Sequence, residues 1–223
     1  MNGKAAMIST PLCRNMVKVK VCGIGNIEDA LKSIEFGADA LGFNFYPPSP
    51  RYIAPEQAQK ILIQLPEGMC KVALFVNESR ANVEAVLDLC RSPDGRGLFT
   101  GLQFHGDEEA HYCQGWNLKI IKAFRVKDQQ ALGAMKGFPA DLYLVDSWAP
   151  GYGGSGARFP WDWLEGLAAD RLILAGGLDS ENVGEAIRQI RPYGVDVCTG
   201  VEAKPGIKDH AKIKEFIRAA KTA

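Results

Sequence analysis

The stretch Leu172-Ile173-Leu174-Ala175-Gly176-Gly177 joins a short apolar run to a glycine turn. An apolar run of this length is typical of a strand that is buried on both faces of a parallel sheet. The pattern returns at Val195-Asp196-Val197-Cys198-Thr199-Gly200, and another glycine-rich turn lies at Gly153-Gly154-Ser155-Gly156. Glycines at strand ends let backbone N–H groups approach an anion, because no side chain intervenes. The three turns therefore predict a phosphate site at one end of a parallel sheet.

Outward from these turns, strand-like and helix-like segments alternate from residue 17 to the end of the chain. The alternation predicts a closed (β/α)8 barrel that forms a single domain over residues 17–223. An open, doubly wound sheet is the alternative, and the count of eight strands favours the barrel. The predicted strands are 17–22, 39–45, 70–76, 98–104, 118–124, 141–146, 171–175 and 194–198. The predicted helices are 26–37, 55–65, 79–90, 106–114, 127–135, 160–168, 179–190 and 208–221, of which 106–114 and 127–135 are short enough to be loops.

Composition excludes several classes of partner. The 223 residues carry 26 basic and 26 acidic side chains, so no excess positive charge is available to hold nucleic acid or an anionic membrane. No apolar stretch is long enough to predict a transmembrane helix. Residues 1–16 are polar and aperiodic, which predicts a disordered extension without a secretory signal and a cytoplasmic protein. Six scattered cysteines and three histidines lack metal-ligand spacing, so free thiols and no metal are expected.

Two strand ends carry candidate acid–base groups. In Val17-Lys18-Val19-Lys20-Val21-Cys22-Gly23, alternation directs the valines towards the helices and Cys22 to the rim of the barrel. A thiolate there can act as a general base, and a small packed cysteine is the alternative. Alternation in 141–146 likewise directs Asp146 to the rim, where a carboxyl group suits a general acid or caps the next loop.

Three further side chains are candidates for contact with a substrate. Arg51 ends a proline-rich loop after the second strand, which predicts a guanidinium held over the barrel mouth, where it can clamp a carboxylate. A solvent-facing arginine is the alternative. Gln103 and His105 share one face of the fourth strand, so both are predicted to reach the mouth, although His105 could instead cap a helix. Asp107 and Glu108 are expected to lie in the first turn of that helix.

These motifs together resemble the phosphoribosylanthranilate isomerase family of tryptophan biosynthesis. The resemblance runs in order through nearly the whole chain. It rests on Lys20-Val21-Cys22-Gly23-Ile24, Gly42-Phe43 through Tyr46, Ser49-Pro50-Arg51-Tyr52, Phe75-Val76-Asn77, residues 102–108, Gly153-Gly154-Ser155-Gly156, Leu174-Ala175-Gly176-Gly177-Leu178, residues 196–202 and Pro205-Gly206-Ile207-Lys208-Asp209. The chain departs from the usual family pattern at Gly25, where threonine is common, at Ser155 and at Cys198-Thr199.

The resemblance implies a (β/α)8 barrel that converts N-(5-phosphoribosyl)anthranilate to 1-(2-carboxyphenylamino)-1-deoxyribulose 5-phosphate by an Amadori rearrangement. It places the catalytic base on Cys22, the acid on Asp146 and the contact to the anthranilate carboxylate on Arg51. It places the phosphate contacts on Gly154, Ser155, Gly156, Gly176, Gly177, Thr199 and Gly200. No cofactor is implied, and a monomer or a homodimer is expected. Another sugar-phosphate isomerase or epimerase barrel and a non-catalytic phosphate-binding barrel are the alternatives.

Overall fold

Eight parallel strands close into a barrel in the computed structural model, which describes residues 16–148 and 159–223. Each strand pairs with the next, and the first pairs with the eighth, with Val21 opposite Val197. This closing pair confirms the barrel and excludes the open sheet, which would leave two edges unpaired. The strands are β1 (Lys18–Cys22), β2 (Ala40–Asn44), β3 (Cys70–Phe75), β4 (Gly101–Phe104), β5 (Lys119–Val126), β6 (Leu142–Ser147), β7 (Leu172–Leu174) and β8 (Gly194–Val197).

Five α-helices are present in the described ranges, each where the sequence predicts one. Asn26 caps the first through its side chain, which accepts from the N–H of Asp29, and Pro55 opens the second. The helices are α1 (Ile27–Glu35), α2 (Pro55–Leu62), α3 (Arg80–Leu89), α4 (Val183–Ile190) and α5 (His210–Lys221). No helix of the described part of the chain is both long and apolar enough to cross a membrane.

No α-helix forms at the other three predicted positions, and the loop alternative is the correct one for residues 106–114. Residues 127–135 and 160–168 contain short 3-10 helices, Gln129–Met135 and Trp161–Leu164. Residues 106–114 form turns, because tertiary contacts hold Glu108 inside the fold. Its carboxylate accepts from Lys122 Nζ at 3.0 Å and from the N–H of Gly106, so it does not stabilise a helix dipole as expected. Asp107 pairs instead with Arg125.

The predicted alternation along the strands is confirmed by two separate cores. Val19 and Val21 point outward and belong to the large core between the barrel and its helices. Leu144 and Ile173 belong to a smaller core inside the barrel. Side chains on the same face of a strand as this inner core also point into the barrel. Those near the carboxyl ends of the strands therefore line the carboxyl-terminal mouth.

A short hairpin follows the last barrel strand. It consists of β9 (Glu202–Lys204) and β10 (Ile207–Lys208), which pair antiparallel. Lys208 is buried, and its Nζ lies 3.2 Å from Oε1 of Glu202. The hairpin therefore carries a buried ion pair to the mouth of the barrel.

Candidate active site

The carboxyl-terminal mouth of the barrel contains a polar pocket. It brings together five of the predicted site residues from separate strands and loops: Cys22, Arg51, Gln103, His105 and Asp146. Its other lining residues are Asn44, Tyr46, Ser49, Leu74, Val76, Asp196 and Cys198. A thiol and a carboxyl group therefore line the same cavity, which is the arrangement that acid–base chemistry requires.

Cys22 ends β1 and is almost fully buried against Leu74 and Val76. Burial raises the pKa of its thiol above the usual value, and the positive charge of Lys20 offsets only part of this rise. Lys20 lies two residues earlier on the same face, and its Nζ is 2.7 Å from Oδ1 of Asp196. Burial alone would lower the pKa of Lys20, but the Asp196 charge raises it above its usual value, so the ammonium group is charged. The base candidate thus has a permanent cation beneath it.

Gly42 makes room for this arrangement. It lies opposite Cys22 in the β1–β2 register. A Cβ atom at Gly42 would lie 2.8 Å from the Cys22 sulfur and 3.0 Å from Lys20 Nζ. Both distances are too short for ordinary packing, so any side chain here would displace the thiol or the ammonium group. The sequence places Gly42 in the barrel but does not indicate this steric role.

Asp146 lies near the end of β6 with its carboxyl group in the pocket. His105 Nε2 is 3.1 Å from its Oδ2, and His105 Nδ1 is 2.8 Å from Nε2 of Gln103. Because the Gln103 amide donates, Nδ1 accepts, and Nε2 carries the proton that it donates to Asp146. The two residues predicted to contact substrate therefore form a chain that orients the carboxyl group.

Arg51 reaches the pocket from the loop after β2, as predicted. Glu202 holds it through two hydrogen bonds, from Nε to Oε1 at 3.1 Å and from Nη2 to Oε2 at 2.7 Å. The hydrogen bonds to Glu202 raise the pKa of the guanidinium. Within the described residues Nη1 makes no hydrogen bond, so this edge can still receive a ligand carboxylate. The prolines alone do not position the side chain, and sequence reasoning missed its partner Glu202.

The glycine turn after β7 adjoins the acid candidate. Gly176 and Gly177 have φ angles of +83° and +63°. A Cβ atom on Gly176 would lie 2.4 Å from the Ser147 hydroxyl oxygen and 2.8 Å from Oδ1 of Asp146. The turn therefore needs glycine for its conformation and for the close approach to β6. Thr199 and Gly200 begin the turn after β8, whereas the candidates Gly154, Ser155 and Gly156 lie outside the described residues.

The fold and the pocket define a class: (β/α)8-barrel enzymes with acid–base groups at the carboxyl ends of the strands. A family model described as "N-(5'phosphoribosyl)anthranilate (PRA) isomerase" matches residues 19–219. The chain belongs to this family.

Curated relatives and solved structures agree with this assignment. A protein of Pelobacter propionicus named N-(5'-phosphoribosyl)anthranilate isomerase is 48% identical over 208 residues, covering 92% of this chain and 96% of the relative. The phosphoribosyl anthranilate isomerase of Thermotoga maritima is 42% identical with a TM-score of 0.84, covering 93% of this chain and all of that one. Another solved isomerase, 39% identical with a TM-score of 0.81 over 93% of this chain and all of its own, is in complex with reduced 1-(o-carboxyphenylamino)-1-deoxyribulose 5-phosphate.

Proposed function

We propose that Cys22 is the general base and Asp146 the general acid of a phosphoribosylanthranilate isomerase. The chain is an isomerase of tryptophan biosynthesis that converts N-(5-phosphoribosyl)anthranilate to 1-(2-carboxyphenylamino)-1-deoxyribulose 5-phosphate. This sets aside the non-catalytic barrel and the other sugar-phosphate isomerases and epimerases. The residue assignment rests on one observation: the Cys22 thiol and the Asp146 carboxyl group line the same pocket at the barrel mouth.

In the first step, Asp146 donates its proton to the ribose ring oxygen. The lone pair of the anilino nitrogen forms a C=N bond as the bond between C1 and the ring oxygen breaks. The products are an open-chain iminium ion and the Asp146 carboxylate. The hydrogen bond from His105 Nε2 to Oδ2 then stabilises the carboxylate and directs Oδ1 towards the sugar.

In the second step, the Cys22 thiolate removes the proton from C2 of the sugar. The electrons of the C–H bond form a C1=C2 bond, and those of the C=N bond return to nitrogen, which gives an enolamine. Tautomerisation of the enolamine yields the ketone. Lys20 favours this step, since its buried ammonium group stabilises the thiolate relative to the thiol. The substrate's own nitrogen is the electron source, so the mechanism uses no metal or organic cofactor.

Two ends of the substrate bind away from the reacting carbons. The free Nη1 edge of Arg51 takes the anthranilate carboxylate, while Glu202 keeps the guanidinium plane fixed. The phosphate lies at the turns of residues 176–177 and 199–200, where glycine backbone can approach an anion. The contacts expected at Gly154, Ser155 and Gly156 remain predictions. Binding energy from these two groups orients the sugar between the base and the acid. Gln103 and His105 are assigned to orienting Asp146, and their direct contact with substrate remains a prediction.

We also propose a cytoplasmic enzyme that acts as a monomer or a homodimer. Equal numbers of basic and acidic residues give no general attraction to nucleic acid or anionic membranes. The domain assignment to residues 17–223 and the extension over 1–16 remain predictions, since residues 1–15 lie outside the described part of the chain.

The experiment is a turnover assay that follows the loss of substrate fluorescence for Cys22→Ser and Asp146→Asn. Each variant removes one proton-transfer group, so we expect kcat to fall by about 10²–10⁴-fold with little change in substrate binding. Cys70→Ser is the matched control, because Cys70 begins β3 at the opposite end of the barrel. Turnover close to that of the control in both variants would reject the assignment.

A further inference from the structure

A second thiol lies beside the proposed base. The β1–β8 ladder pairs Val21 with Val197. Cys22 is the last residue of β1, and Cys198 directly follows the last residue of β8. The two valines point outward into the helix-facing core, so alternation turns Cys22 inward. Both cysteines line the pocket, and Cys198 packs against the apolar cluster that contains Cys22.

The spacing suits a covalent link between the two sulfur atoms. Neighbouring strands lie about 4.8 Å apart, which is within the range of about 4.4–6.8 Å between the Cα atoms of disulfide-bonded cysteines. Cys198 also reaches back over β1, since a Cβ atom on Gly23 would lie 3.3 Å from its sulfur. Both cysteines are free thiols.

The surroundings give the two thiols different chemistry. Burial raises the pKa of Cys198 to about 12, so this thiol is protonated and does not compete with Cys22 as a base. Its sulfur lies 3.6 Å from Oε1 of Glu202, which is positioned to accept the thiol proton. Burial would raise the pKa of Glu202, but hydrogen bonds from Arg51 and the charge of Lys208 lower it overall. Glu202 is therefore an ionised carboxylate that can accept this proton.

We propose that Cys22 and Cys198 form a dithiol modification site for hydroperoxides, which closes a disulfide across the β1–β8 seam. The proposal rests on the role of Cys22 as a thiolate in the proposed function. The Cys22 thiolate attacks one oxygen of the peroxide, forms an S–O bond and breaks the O–O bond, giving a sulfenic acid and hydroxide, which is protonated to water. The Cys198 sulfur then attacks the Cys22 sulfur, the S–O bond breaks, and the hydroxyl group leaves as water with the proton relayed by Glu202. Two thiols are oxidised to a disulfide and one hydroperoxide is reduced to water and, for an organic peroxide, an alcohol.

The disulfide has a direct consequence for catalysis. It consumes the sulfur that removes the C2 proton, so the oxidised enzyme cannot complete the second step. It also protects Cys22 from irreversible oxidation to the sulfinic acid, because the sulfenic acid is captured by its neighbour. A dithiol reductant restores both thiols and with them the activity.

The test treats the full chain with hydrogen peroxide and follows activity together with the masses of its proteolytic peptides. We compare the wild-type protein with Cys198→Ser, which keeps the size and polarity of the side chain, and with Cys70→Ser as a control cysteine. Each protein is normalised to its own fully reduced activity. We expect wild type and Cys70→Ser to lose at least about tenfold in kcat/KM, to show the Cys22–Cys198 linked peptide and to recover with dithiothreitol. In Cys198→Ser no neighbouring thiol captures the Cys22 sulfenic acid, so we expect excess peroxide to oxidise it to the sulfinic acid and activity to be lost without recovery.

Two outcomes would overturn the site. One is inactivation of wild type without the linked peptide. The other is equal recovery of wild type and Cys198→Ser. A linked peptide in an enzyme that retains full activity would leave the modification site standing and reject Cys22 as the base. The peptide mass thus separates failure of this inference from failure of the proposed function.

Discussion

Replacement of Lys20 by methionine tests whether the buried cation sets the reactivity of the base. Methionine keeps the length of the side chain but removes the charge. In the native protein Lys20 is 4% exposed, and its ammonium group is held 2.7 Å from Asp196, beneath the Cys22 thiol. Loss of the charge leaves the thiolate without its nearest cation, so the pKa of Cys22 must rise.

The size of the rise in the Cys22 pKa follows from the burial of Cys22 and Lys20. Two unit charges about 4 Å apart interact by about 4 kcal/mol at an effective dielectric constant of 20, which corresponds to about three pKa units. Asp196 also raises the pKa of Cys22, but its charge is present in both proteins and does not change the difference between them. We therefore expect a net increase of about one to three pKa units.

The assay is the pH dependence of kcat/KM. Cys22 must be deprotonated to accept the C2 proton, so activity falls as pH drops below the thiol pKa. In Lys20→Met this acid limb should move to higher pH by the same one to three units, which gives about a 10–1000-fold loss on the acid side. A limb that stays at the wild-type pH in a folded Lys20→Met protein would refute the role of the cation.

A second variant separates this effect from loss of folding. Lys20→Met leaves the Asp196 carboxylate buried without its partner, which costs about 3–5 kcal/mol of stability. The double variant Lys20→Met with Asp196→Asn removes that unpaired charge as well. It should be more stable than the single variant to thermal unfolding. Its acid limb should lie between those of wild type and Lys20→Met, since the opposing negative charge is also gone.

Three further predictions concern the glycine turn at Gly176, the carboxylate contact of Arg51 and the ion pairs of Asp39. Gly176→Ala should raise KM and cost about 1–3 kcal/mol of stability, because the φ angle of Gly176 is +83° and the new methyl group would meet Ser147. A KM and a melting temperature equal to those of wild type would contradict this. Arg51→Lys should raise KM about tenfold or more with little change in kcat, since lysine lacks the planar guanidinium group that can bind a carboxylate through two hydrogen bonds. An unchanged KM in steady-state kinetics would reject the contact between Arg51 and the substrate carboxylate. Asp39→Asn should lower unfolding stability by about 1–3 kcal/mol at neutral pH. Burial would raise the Asp39 pKa, but hydrogen bonds from Lys221 and other groups lower it below 3.8 overall. The difference in stability from wild type, measured by denaturant titration, should therefore vanish as pH falls through this lowered pKa. A difference that persists below it would contradict the stabilising role of the Asp39 carboxylate.

The barrel strands could be predicted because each is a local pattern of buried apolar residues. Alternation along β1 also predicted that Cys22 faces the mouth while Val19 and Val21 face the helices. The same reasoning failed for residues 106–114, where helix-like spacing exists but the Glu108–Lys122 ion pair holds the chain in turns. A tertiary contact of this kind overrides a weak local preference and leaves no signal in the segment itself.

The pairs that tune the site could not be predicted, because their members lie far apart in the chain. Lys20 and Asp196 are separated by 176 positions, and Arg51 and Glu202 by 151. Strand parity predicts that Lys20 points inward, but only the closed ladder between β1 and β8 brings Asp196 to it. The link from His105 to Asp146 depends in the same way on the curvature of the barrel, since His105 follows β4 and Asp146 lies on β6, and these strands are not adjacent.

A crystal structure of this protein with reduced 1-(o-carboxyphenylamino)-1-deoxyribulose 5-phosphate is the most direct measurement of where the base and acid act. We expect the Cys22 sulfur within about 4 Å of C2 and an Asp146 carboxylate oxygen within about 3.5 Å of the oxygen that was in the ribose ring. We also expect the ligand carboxylate at Arg51 and the phosphate at the glycine turns. A ligand whose C2 is out of reach of Cys22, or whose sugar lies away from Asp146, would show that these residues are not the base and the acid.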